Sequence, residues 1–504
     1  MPRQSTQHVL PGSSPSASVA VGAATTNRQD GRVTTAEKAE APAAAMARRG
    51  STSWVRRRVN DVARSSPARL AIVVFSLVVL LFSALLSLPA ATASGQRAPY
   101  ADALFTAVSA VCVTGLVTVD TATYWSGLGH VLILVAIKVG GLGILTLACL
   151  LGLAVAHRLG LRQRLIAASE TKALGLGEVA SLLRAIVVVS TSVELVIAAL
   201  LFPSFVAYGD GVGSALWHSV FYGISAFNNA GFVVHDGGLA RWTADPFVLG
   251  PIALGVFVGS LGFPVVLAIA RDWSRRGRFR RWGLHAQLTL TTTLVVLAVS
   301  VALMALLEWT NPATFGQQPV GTRALNVLFS SVMPRSGGFN TVDIGAMRES
   351  TWLLHDVLMF IGGGSASTAG GIKVTTLAVL VLAGVAEARG DRDVEAFGRR
   401  IPPASLRLAV TVLLAGSGIV VVGTLALLAI TGQPLGVVVF EVISAFATCG
   451  LSTGLTPDLP DGGKYVVAAL MFTGRTGTIT LAAALALRER QRVVRLPEER
   501  PVVG

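Results

Sequence analysis

VFYGISAFNNAGF, residues 220–232, is one of four copies of a short pattern that decides how this chain folds. In each copy a Phe opens an apolar stretch, and a Gly followed by Leu or Phe closes it. The closing glycines recur at intervals of 116, 107 and 112 residues, which is too long for a solenoid repeat and suits two membrane spans with a loop between them. The other copies are LFTAVSAVCVTGL (104–116), LFSSVMPRSGGF (328–339, one residue shorter) and VFEVISAFATCGL (439–451). We therefore expect four units of one design.

Composition places the chain among membrane proteins. Of its 504 residues, 52% are hydrophobic and only 13% are charged, and the mean hydropathy is +0.66. An ordinary soluble protein is less apolar and carries more charge. The formal net charge of +14 comes from positive residues gathered between hydrophobic stretches, which indicates membrane orientation and not a nucleic-acid partner. The three cysteines have no metal-ligand spacing, so they imply neither a disulfide framework nor a zinc site.

Eight segments are long and apolar enough to cross the roughly 30 Å hydrocarbon core as helices. One copy of the pattern lies between the two members of each successive pair, and its apolar part is too short to cross. Each copy is therefore expected to enter and leave the membrane by the same face. The eight predicted spans are residues 70–96, 128–156, 185–206, 247–270, 284–307, 352–386, 408–430 and 465–487.

These spans divide the chain into four repeated units and two tails. Residues 1–68 lack apolar periodicity and are predicted to form a disordered, basic cytoplasmic tail, with no apolar region that could serve as a cleaved signal peptide. The links around 158–184, 271–283 and 387–407 are rich in Arg and are expected on the cytoplasmic side, as are both termini. The predicted units are 69–157, 180–271, 284–387 and 404–488, and residues 489–504 are a second cytoplasmic tail.

The pattern has a chemical meaning if each short helix stops in the middle of the membrane. Its last carbonyls then carry about half a negative charge, and the next residues leave carbonyls free, which is tolerated only beside a cavity. The closing tetrads contain no carboxylate, and neutral oxygens suit K⁺ better than Ca²⁺ or Mg²⁺. The candidate ligands of K⁺ are the backbone carbonyls of Val113, Thr114, Gly115, Leu116, Asn229, Ala230, Gly231, Phe232, Ser336, Gly337, Gly338, Phe339, Thr448, Cys449, Gly450 and Leu451.

A run of small residues interrupts the sixth predicted span and is a candidate gate. So many glycines cannot hold a stiff helix, and non-helical backbone at this depth must line a cavity or be buried in protein. A helix-packing face of small residues is the alternative. A phosphate loop is disfavoured, because Ile372 separates Gly371 from Lys373. The run consists of Gly362, Gly363, Gly364, Ser365, Ala366, Ser367, Thr368, Ala369, Gly370 and Gly371, and Lys373 follows it.

Several charged residues within the predicted spans have two interpretations. Arg475 lies near the middle of the last span and is hypothesised to form an electrostatic barrier, although a paired or snorkelling Arg is the alternative. Lys138 either pairs structurally or snorkels, or it has a pore-facing or regulatory role. Glu194 is either its partner or a residue packed at a subunit interface. Glu441 is interpreted as a favourable charge at the start of the fourth short helix. His218 is interpreted as an interfacial or packing residue.

The chain resembles the membrane subunit of the Trk/Ktr/HKT superfamily of potassium transporters, and it looks most like the KtrB branch. The resemblance covers about residues 69–490. It is carried by the four copies above and by VGGLGILTL (139–147), GSLGFPVV (259–266), PRSGGFNTVD (334–343), GGGSASTAGGIKVTT (362–376) and TGRTGTITL (473–481).

The resemblance implies a function and a set of partners. It implies potassium uptake, passive or coupled to a Na⁺ or H⁺ gradient, through a filter at Gly115, Gly231, Gly338 and Gly450, and relatives with Ser at the first of these positions tend toward Na⁺. It also implies a gate at residues 362–371, with Arg475 facing the pore beneath the filter. The expected assembly is a homodimer in the plasma membrane and its lipids, on a cytosolic ring of RCK-type subunits like KtrA or TrkA, which alone bind the nucleotide.

Two other classes compete with this interpretation. A cation-coupled secondary carrier would use discontinuous helices from two inverted halves, and four copies with one orientation argue against it. A purely structural membrane scaffold would leave the four matched loops unexplained. The expectation is therefore an all-α membrane transporter of four helix, pore loop, helix units, and not an enzyme.

Overall fold

The computed structural model describes residues 67–158, 176–273 and 282–486, and these residues are almost entirely helical. The predictions for most of the N-terminal tail, for parts of the first two Arg-rich links and for the C-terminal tail fall outside these ranges. The helices are α1 (Pro67–Leu86), α2 (Tyr100–Val111), α3 (Thr121–Tyr124), α4 (Gly127–Arg158), α5 (Leu176–Ala207), α6 (Val212–Phe227), α7 (Pro246–Leu261), α8 (Phe263–Trp273), α9 (Leu284–Glu308), α10 (Val320–Val332), α11 (Glu349–Ile361), α12 (Val374–Arg389), α13 (Pro403–Thr431), α14 (Leu435–Phe446) and α15 (Asp461–Ala486).

Little other regular structure is present in the described ranges. Short 3-10 turns lie at Pro89–Ala91, Ala240–Trp242 and Thr456–Asp458. An antiparallel hairpin in the link between α12 and α13 pairs β1 (Glu395–Ala396) with β2 (Arg399–Arg400).

Four of the described helices are individually long and apolar enough to span a membrane. They include residues 127–147 of α4 and 183–207 of α5, together with α9 and α13, and the bent pair α7 and α8 makes a fifth candidate. The sequence predicts eight spans, so three do not pass the same test within the described residues. The outer faces carry exposed apolar side chains, such as Leu306 at 75% and Leu414 at 67% exposure, as expected for helices in contact with lipid.

The first predicted span ends earlier than expected. The sequence predicts helix as far as residue 96, whereas α1 ends at Leu86. Pro89 begins a 3-10 turn, and Thr92 then forms an isolated antiparallel bridge with Trp125. Proline has no N–H to continue a helix, so the apolar composition of this stretch is a poor guide to its end.

The fourth predicted span, 247–270, is not one helix. α7 and α8 meet at an angle of 103°. Gly262, between them, has a φ of +93°, and Phe263 donates its N–H to the carbonyl of Ala366 at 3.0 Å. A Cβ built on Gly262 would lie 2.5 Å from the carbonyl oxygen of Ser365, so only glycine fits here. The prediction of a continuous span is wrong because Ser365 and Ala366, about a hundred residues later in the chain, occupy the bend.

The sixth predicted span is also divided. α11 ends at Ile361, and α12 begins at Val374, so the backbone is non-helical over 362–373. Gly362, Ala366 and Gly371 have φ values of +55°, +54° and +69°. We call residues 362–373 the glycine-rich loop.

Four short helices of 12 to 16 residues, α2, α6, α10 and α14, lie in the interior. Each follows a Pro or Gly in extended conformation, and each has a largely buried C-terminal half. At a rise of about 1.5 Å per residue, none is long enough to cross the hydrocarbon core.

Candidate functional site: the loops after the four short helices

The four short helices end in the same strained backbone. In each following loop, a non-glycine residue with positive φ stands two residues before a glycine with positive φ. Such a conformation costs an L-residue roughly 1–2 kcal/mol, and four of the six described non-glycine residues that adopt it occupy this position. The pairs are Val113 (+55°) and Gly115 (+91°), Asn229 (+59°) and Gly231 (+68°), Ser336 (+73°) and Gly338 (+73°), and Thr448 (+47°) and Gly450 (+96°).

The four glycines meet one another through the backbone. A Cβ built on any of them would collide with main-chain atoms of the next loop, so no larger residue fits without displacement. In every case the nearby carbonyl belongs to the residue that precedes the next glycine, and the contacts close a ring. Gly115 faces the carbonyl of Ala230, Gly231 that of Gly337, Gly338 that of Cys449, and Gly450 that of Thr114.

Serine side chains stabilise three of these loops. Ser109 Oγ accepts the N–H of Gly115 at 3.0 Å, and Ser444 Oγ accepts the N–H of Gly450 at 3.1 Å. In the second loop, Ser225 Oγ donates to the carbonyl of Phe232 at 3.0 Å. These bonds give a physical reason for the serine that recurs six residues before the glycine in three of the four copies.

The shorter third loop is held differently. Ser336 Oγ donates to the carbonyl of Thr448 at 2.7 Å and accepts the N–H of Gly370 at 3.1 Å. One hydroxyl therefore links the third loop to the fourth loop and to the glycine-rich loop. Ser336 is also one of the residues with a positive φ. Its bonds to Thr448 and Gly370 therefore help to hold this unfavourable backbone conformation.

A second set of contacts, which sequence reasoning missed, holds the chain after each glycine. Asp102 on α2 accepts from Thr118 Oγ1 at 2.8 Å, and Asn326 on α10 accepts from Thr341 Oγ1 at 2.6 Å. On α6, Tyr222 Oη lies 3.0 Å from His235 Nδ1. A threonine recurs three residues after the glycine in three copies, at positions 118, 341 and 453. This recurrence could have indicated these contacts from the sequence.

Glu441 makes the corresponding contacts in the fourth loop. Its carboxylate accepts from Ser452 Oγ at 2.5 Å, from Thr456 Oγ1 at 2.6 Å and from the N–H of Thr453 at 2.9 Å. The prediction that it is a charge at the start of the helix is wrong, because α14 begins at Leu435 and Glu441 lies in its interior. It stabilises the loop through direct hydrogen bonds, which do not depend on the helix dipole.

The glycine-rich loop packs against the ends of α7 and α6. Gly364 donates its N–H to the carbonyl of Ser260 at 2.8 Å, and Thr368 donates its N–H to that of Gly259 at 3.3 Å. Thr368 Oγ1 also donates to the carbonyl of Phe227, at the end of α6, at 3.1 Å. The predicted gate segment is therefore adjacent to the second and third loops.

Two cations, one of them in the glycine-rich loop itself, donate hydrogen bonds to carbonyls of that loop. Arg475, on α15, is 2% exposed, and its Nη1 donates to the carbonyl of Thr368. Its Nε and Nη2 have no hydrogen-bond partner among the described residues. Lys373 Nζ donates to the carbonyl of Ala369 at 2.6 Å. Carbonyl dipoles of the loop thus partly offset both charges. They do not fully replace the hydration that a guanidinium loses on burial.

Lys138 forms an ion pair with Glu194. Its Nζ lies 2.5 Å from Oε2 of Glu194, which is 4% exposed, and Asn228 Nδ2 donates to Oε1 of Glu194 at 2.9 Å. Of the two interpretations offered by the sequence, the structure therefore favours pairing. Since Asn228 caps α6 next to the second loop, this pair connects α4, α5 and that loop.

The fold and these contacts define a class of protein. Apolar helices expose their outer faces, and four interior loops meet through their backbones, as in a polytopic membrane protein built around a central polar site. Comparisons with known proteins identify the family. The profile of TrkH, described as cation transport protein, matches residues 43–495. The chain therefore belongs to the TrkH family of cation transport proteins, in agreement with the expectation of a transporter.

Individual relatives match over most of their length. The Ktr system potassium uptake protein B of Bacillus subtilis is 36% identical over 441 residues, 88% of this chain and 97% of the relative. Its namesake from Vibrio alginolyticus is 37% identical, with 88% and 96% covered. The potassium/sodium uptake protein NtpJ of Enterococcus hirae is 32% identical, with 88% and 98% covered. The crystal structure of the potassium transporter TrkH from Vibrio parahaemolyticus has the same fold, with a TM-score of 0.67, 18% identity and coverage of 82% and 83%.

Proposed function

We propose that this chain is the pore-forming membrane subunit of a potassium uptake system. Two relatives that it matches over nearly their full length are named potassium uptake proteins, and a third is named a potassium/sodium uptake protein. K⁺ is therefore the transported ion, and Na⁺ is the second candidate. Four pseudo-repeated units surround one pore, and the four loops form its selectivity filter.

The ring of glycines is the single observation that carries this proposal. It brings four backbone segments together with no side chain at the closing position, so that main-chain oxygens are the groups available to replace the hydration shell of an ion. Carbonyl oxygens bear no formal charge, which suits K⁺ and disfavours divalent ions. In the superfamily that this chain resembles, serine at the first filter position accompanies Na⁺ transport. Glycine at position 115 therefore favours K⁺.

The glycine-rich loop is the proposed gate. It lies against the second and third loops, and Arg475 adds a positive charge that repels a cation there. Opening would separate the carbonyl of Thr368 from Arg475.

The partners and location follow from the resemblance. We propose a homodimer in the plasma membrane, with both termini in the cytoplasm, bound to a ring of RCK-type subunits that hold the nucleotide. The Arg-rich links are the proposed docking surface, and the link between α12 and α13 exposes Arg399 and Arg400 on its hairpin. Anionic lipids are the other candidate ligand of these cations.

One observation favours the alternative, a cation-coupled carrier. Two spans, α7 with α8 and α11 with α12, are discontinuous and touch each other, as helices at carrier binding sites do. Flux into liposomes separates the two functions. A channel-like protein conducts Rb⁺ down its own gradient without Na⁺ or a pH difference, whereas a carrier requires one of them.

Growth tests the main proposal. The full-length chain is expressed, with and without an RCK-type subunit, in a bacterium that lacks its own potassium uptake systems, at submillimolar K⁺. The proposal predicts restored growth and Rb⁺ uptake. Absence of both, with the chain present in the membrane and the partner supplied, would contradict it.

A further inference from the structure

Three residues of types that can bind a metal ion lie together beside α6. Asp210 is in the link between α5 and α6, His218 is on α6, and His235 follows Gly231 by four residues. Asp210 Oδ2 is 2.7 Å from His218 Nδ1 and 3.6 Å from His235 Nε2. One ligand atom from each of the three lies within 4.8 Å of the others. The sequence interpretation of His218 as a packing residue misses this arrangement.

His235 provides independent support for a site. It is only 8% exposed, and its Nε2, which faces Asp210, has no hydrogen-bond partner among the described residues. A buried ring nitrogen without a partner is unfavourable unless something binds it.

We propose that Asp210, His218 and His235 form a binding site for a zinc-like divalent transition-metal ion. Zn²⁺ binds imidazole nitrogen and carboxylate oxygen at about 2.0–2.2 Å, so neighbouring ligand atoms of a tetrahedral site are about 3.3 Å apart. The distances of 2.7 and 3.6 Å bracket that value. Two imidazoles and one carboxylate suit Zn²⁺ better than Mg²⁺ or Ca²⁺, and water takes the fourth position.

The surroundings orient the ligands. Tyr222 Oη lies 3.0 Å from Nδ1 of His235, and when it accepts the proton of this nitrogen, the lone pair of Nε2 is free for the metal. The His235 ring also stacks on Tyr222, with ring centroids 5.6 Å apart, and packs edge-on against Trp242 at 4.7 Å. A bound ion would connect the link, α6 and the segment after the second loop.

Metal binding by the tag-free full-length protein in detergent tests the proposal. Zn²⁺ is titrated in competition with a chromogenic chelator, and Co²⁺ replaces it to report ligand geometry by visible absorption. We expect one Zn²⁺ per chain in addition to any weak background, and a Co²⁺ spectrum typical of four- or five-coordinate nitrogen and oxygen ligands. Asp210→Asn and His218→Gln should each weaken binding by about tenfold or more.

His130→Gln is the matched control. His130 lies in the first unit, and its Nε2 is 2.7 Å from the carbonyl of Thr121, so its loss should leave Zn²⁺ affinity unchanged. Zn²⁺ should also raise the melting temperature of the wild-type protein and of this control, but not that of Asp210→Asn. Equal Zn²⁺ affinity in the wild-type protein and both site variants would overturn the proposal, as would absence of binding at 100 µM Zn²⁺. None of these measurements requires ion transport, so they stand apart from the test of potassium uptake.

Discussion

Arg475 on α15 donates a hydrogen bond from Nη1 to the main-chain carbonyl of Thr368, in the middle of the glycine-rich loop. Thr368 in turn donates from Oγ1 to the carbonyl of Phe227, at the end of the second short helix. One loop residue therefore connects α15 to the backbone that supports the second loop. Within the described residues, the Arg475 guanidinium makes this hydrogen bond alone. A movement of the loop is therefore expected to change the position of the Arg475 charge as well.

Removal of this charge should increase ion flux. Arg475→Ala eliminates a cation near the proposed ion path and releases the carbonyl of Thr368. A unit charge contributes about 1–2 kcal/mol at roughly 10 Å when the effective dielectric constant is 20, which corresponds to about tenfold in rate. Rb⁺ uptake per molecule of protein in the membrane is the measurement.

Two variants control for this effect. Arg475→Lys keeps the charge and should give uptake closer to that of the wild-type protein. Arg97→Ala removes an exposed cation in the link between α1 and α2 and should have no effect. Unchanged or reduced uptake by Arg475→Ala at normal expression would rule out Arg475 as an electrostatic barrier.

Substitution of Gly115 should change the ion preference. Gly115→Ser places a Cβ against the carbonyl of Ala230 at a φ of +91°, so the first and second loops must move apart. We expect K⁺ uptake to fall and the ratio of Na⁺ to K⁺ uptake to rise. Gly127→Ser is the control, because a Cβ on Gly127 meets no atom within 4 Å. Equal ion selectivity in both variants would argue against the filter.

Loss of the serine that supports the fourth loop should destabilise it. Ser444→Ala leaves the N–H of Gly450 without its partner, and an unsatisfied buried donor costs about 1–3 kcal/mol. We expect a lower melting temperature and weaker discrimination against Na⁺. Ser331→Ala serves as the control, since Ser331 Oγ bonds only to the carbonyl of Val327 in its own helix and its loss should alter selectivity little. A Ser444 variant with unchanged stability and selectivity would contradict this explanation.

The Lys138–Glu194 pair should show strong coupling in a double-mutant cycle. Lys138→Met alone leaves a buried carboxylate without its cation, and breaking such a pair from one side typically costs about 3–5 kcal/mol. The double variant with Glu194→Met should recover much of that loss. Melting temperatures in detergent provide the readout, and additive effects of the two substitutions would show that the pair is not coupled.

The sequence was sufficient to locate the residues that meet at the centre of the fold. Glycine at a fixed distance from a Phe marks a backbone constraint, and only glycine tolerates the close approach that Gly115 and Gly450 make. The small residues of 362–371 likewise predicted a break in a helix, because a run rich in glycine is poorly suited to helical structure. Helical class and membrane character followed from hydropathy.

The sequence was insufficient wherever distant residues decide the outcome. The bend at Gly262 depends on the carbonyls of the glycine-rich loop, about a hundred residues later in the chain. Glu441 was misinterpreted because its partners lie beyond the loop that follows it. The spacing of Asp210, His218 and His235 in the sequence matches no metal-binding motif. Only the packing of α6 against the neighbouring segments brings these side chains together.

The position of the permeating ion tests the central claim most directly. Crystals of the full-length protein grown in Rb⁺ and measured at the rubidium absorption edge would locate the ion by its anomalous scattering. We expect a peak inside the ring formed by Gly115, Gly231, Gly338 and Gly450, with main-chain oxygens of all four loops as its ligands. Anomalous density bound instead by carboxylate side chains, or an ordered ring without Rb⁺ while the same protein transports Rb⁺ in liposomes, would contradict the account.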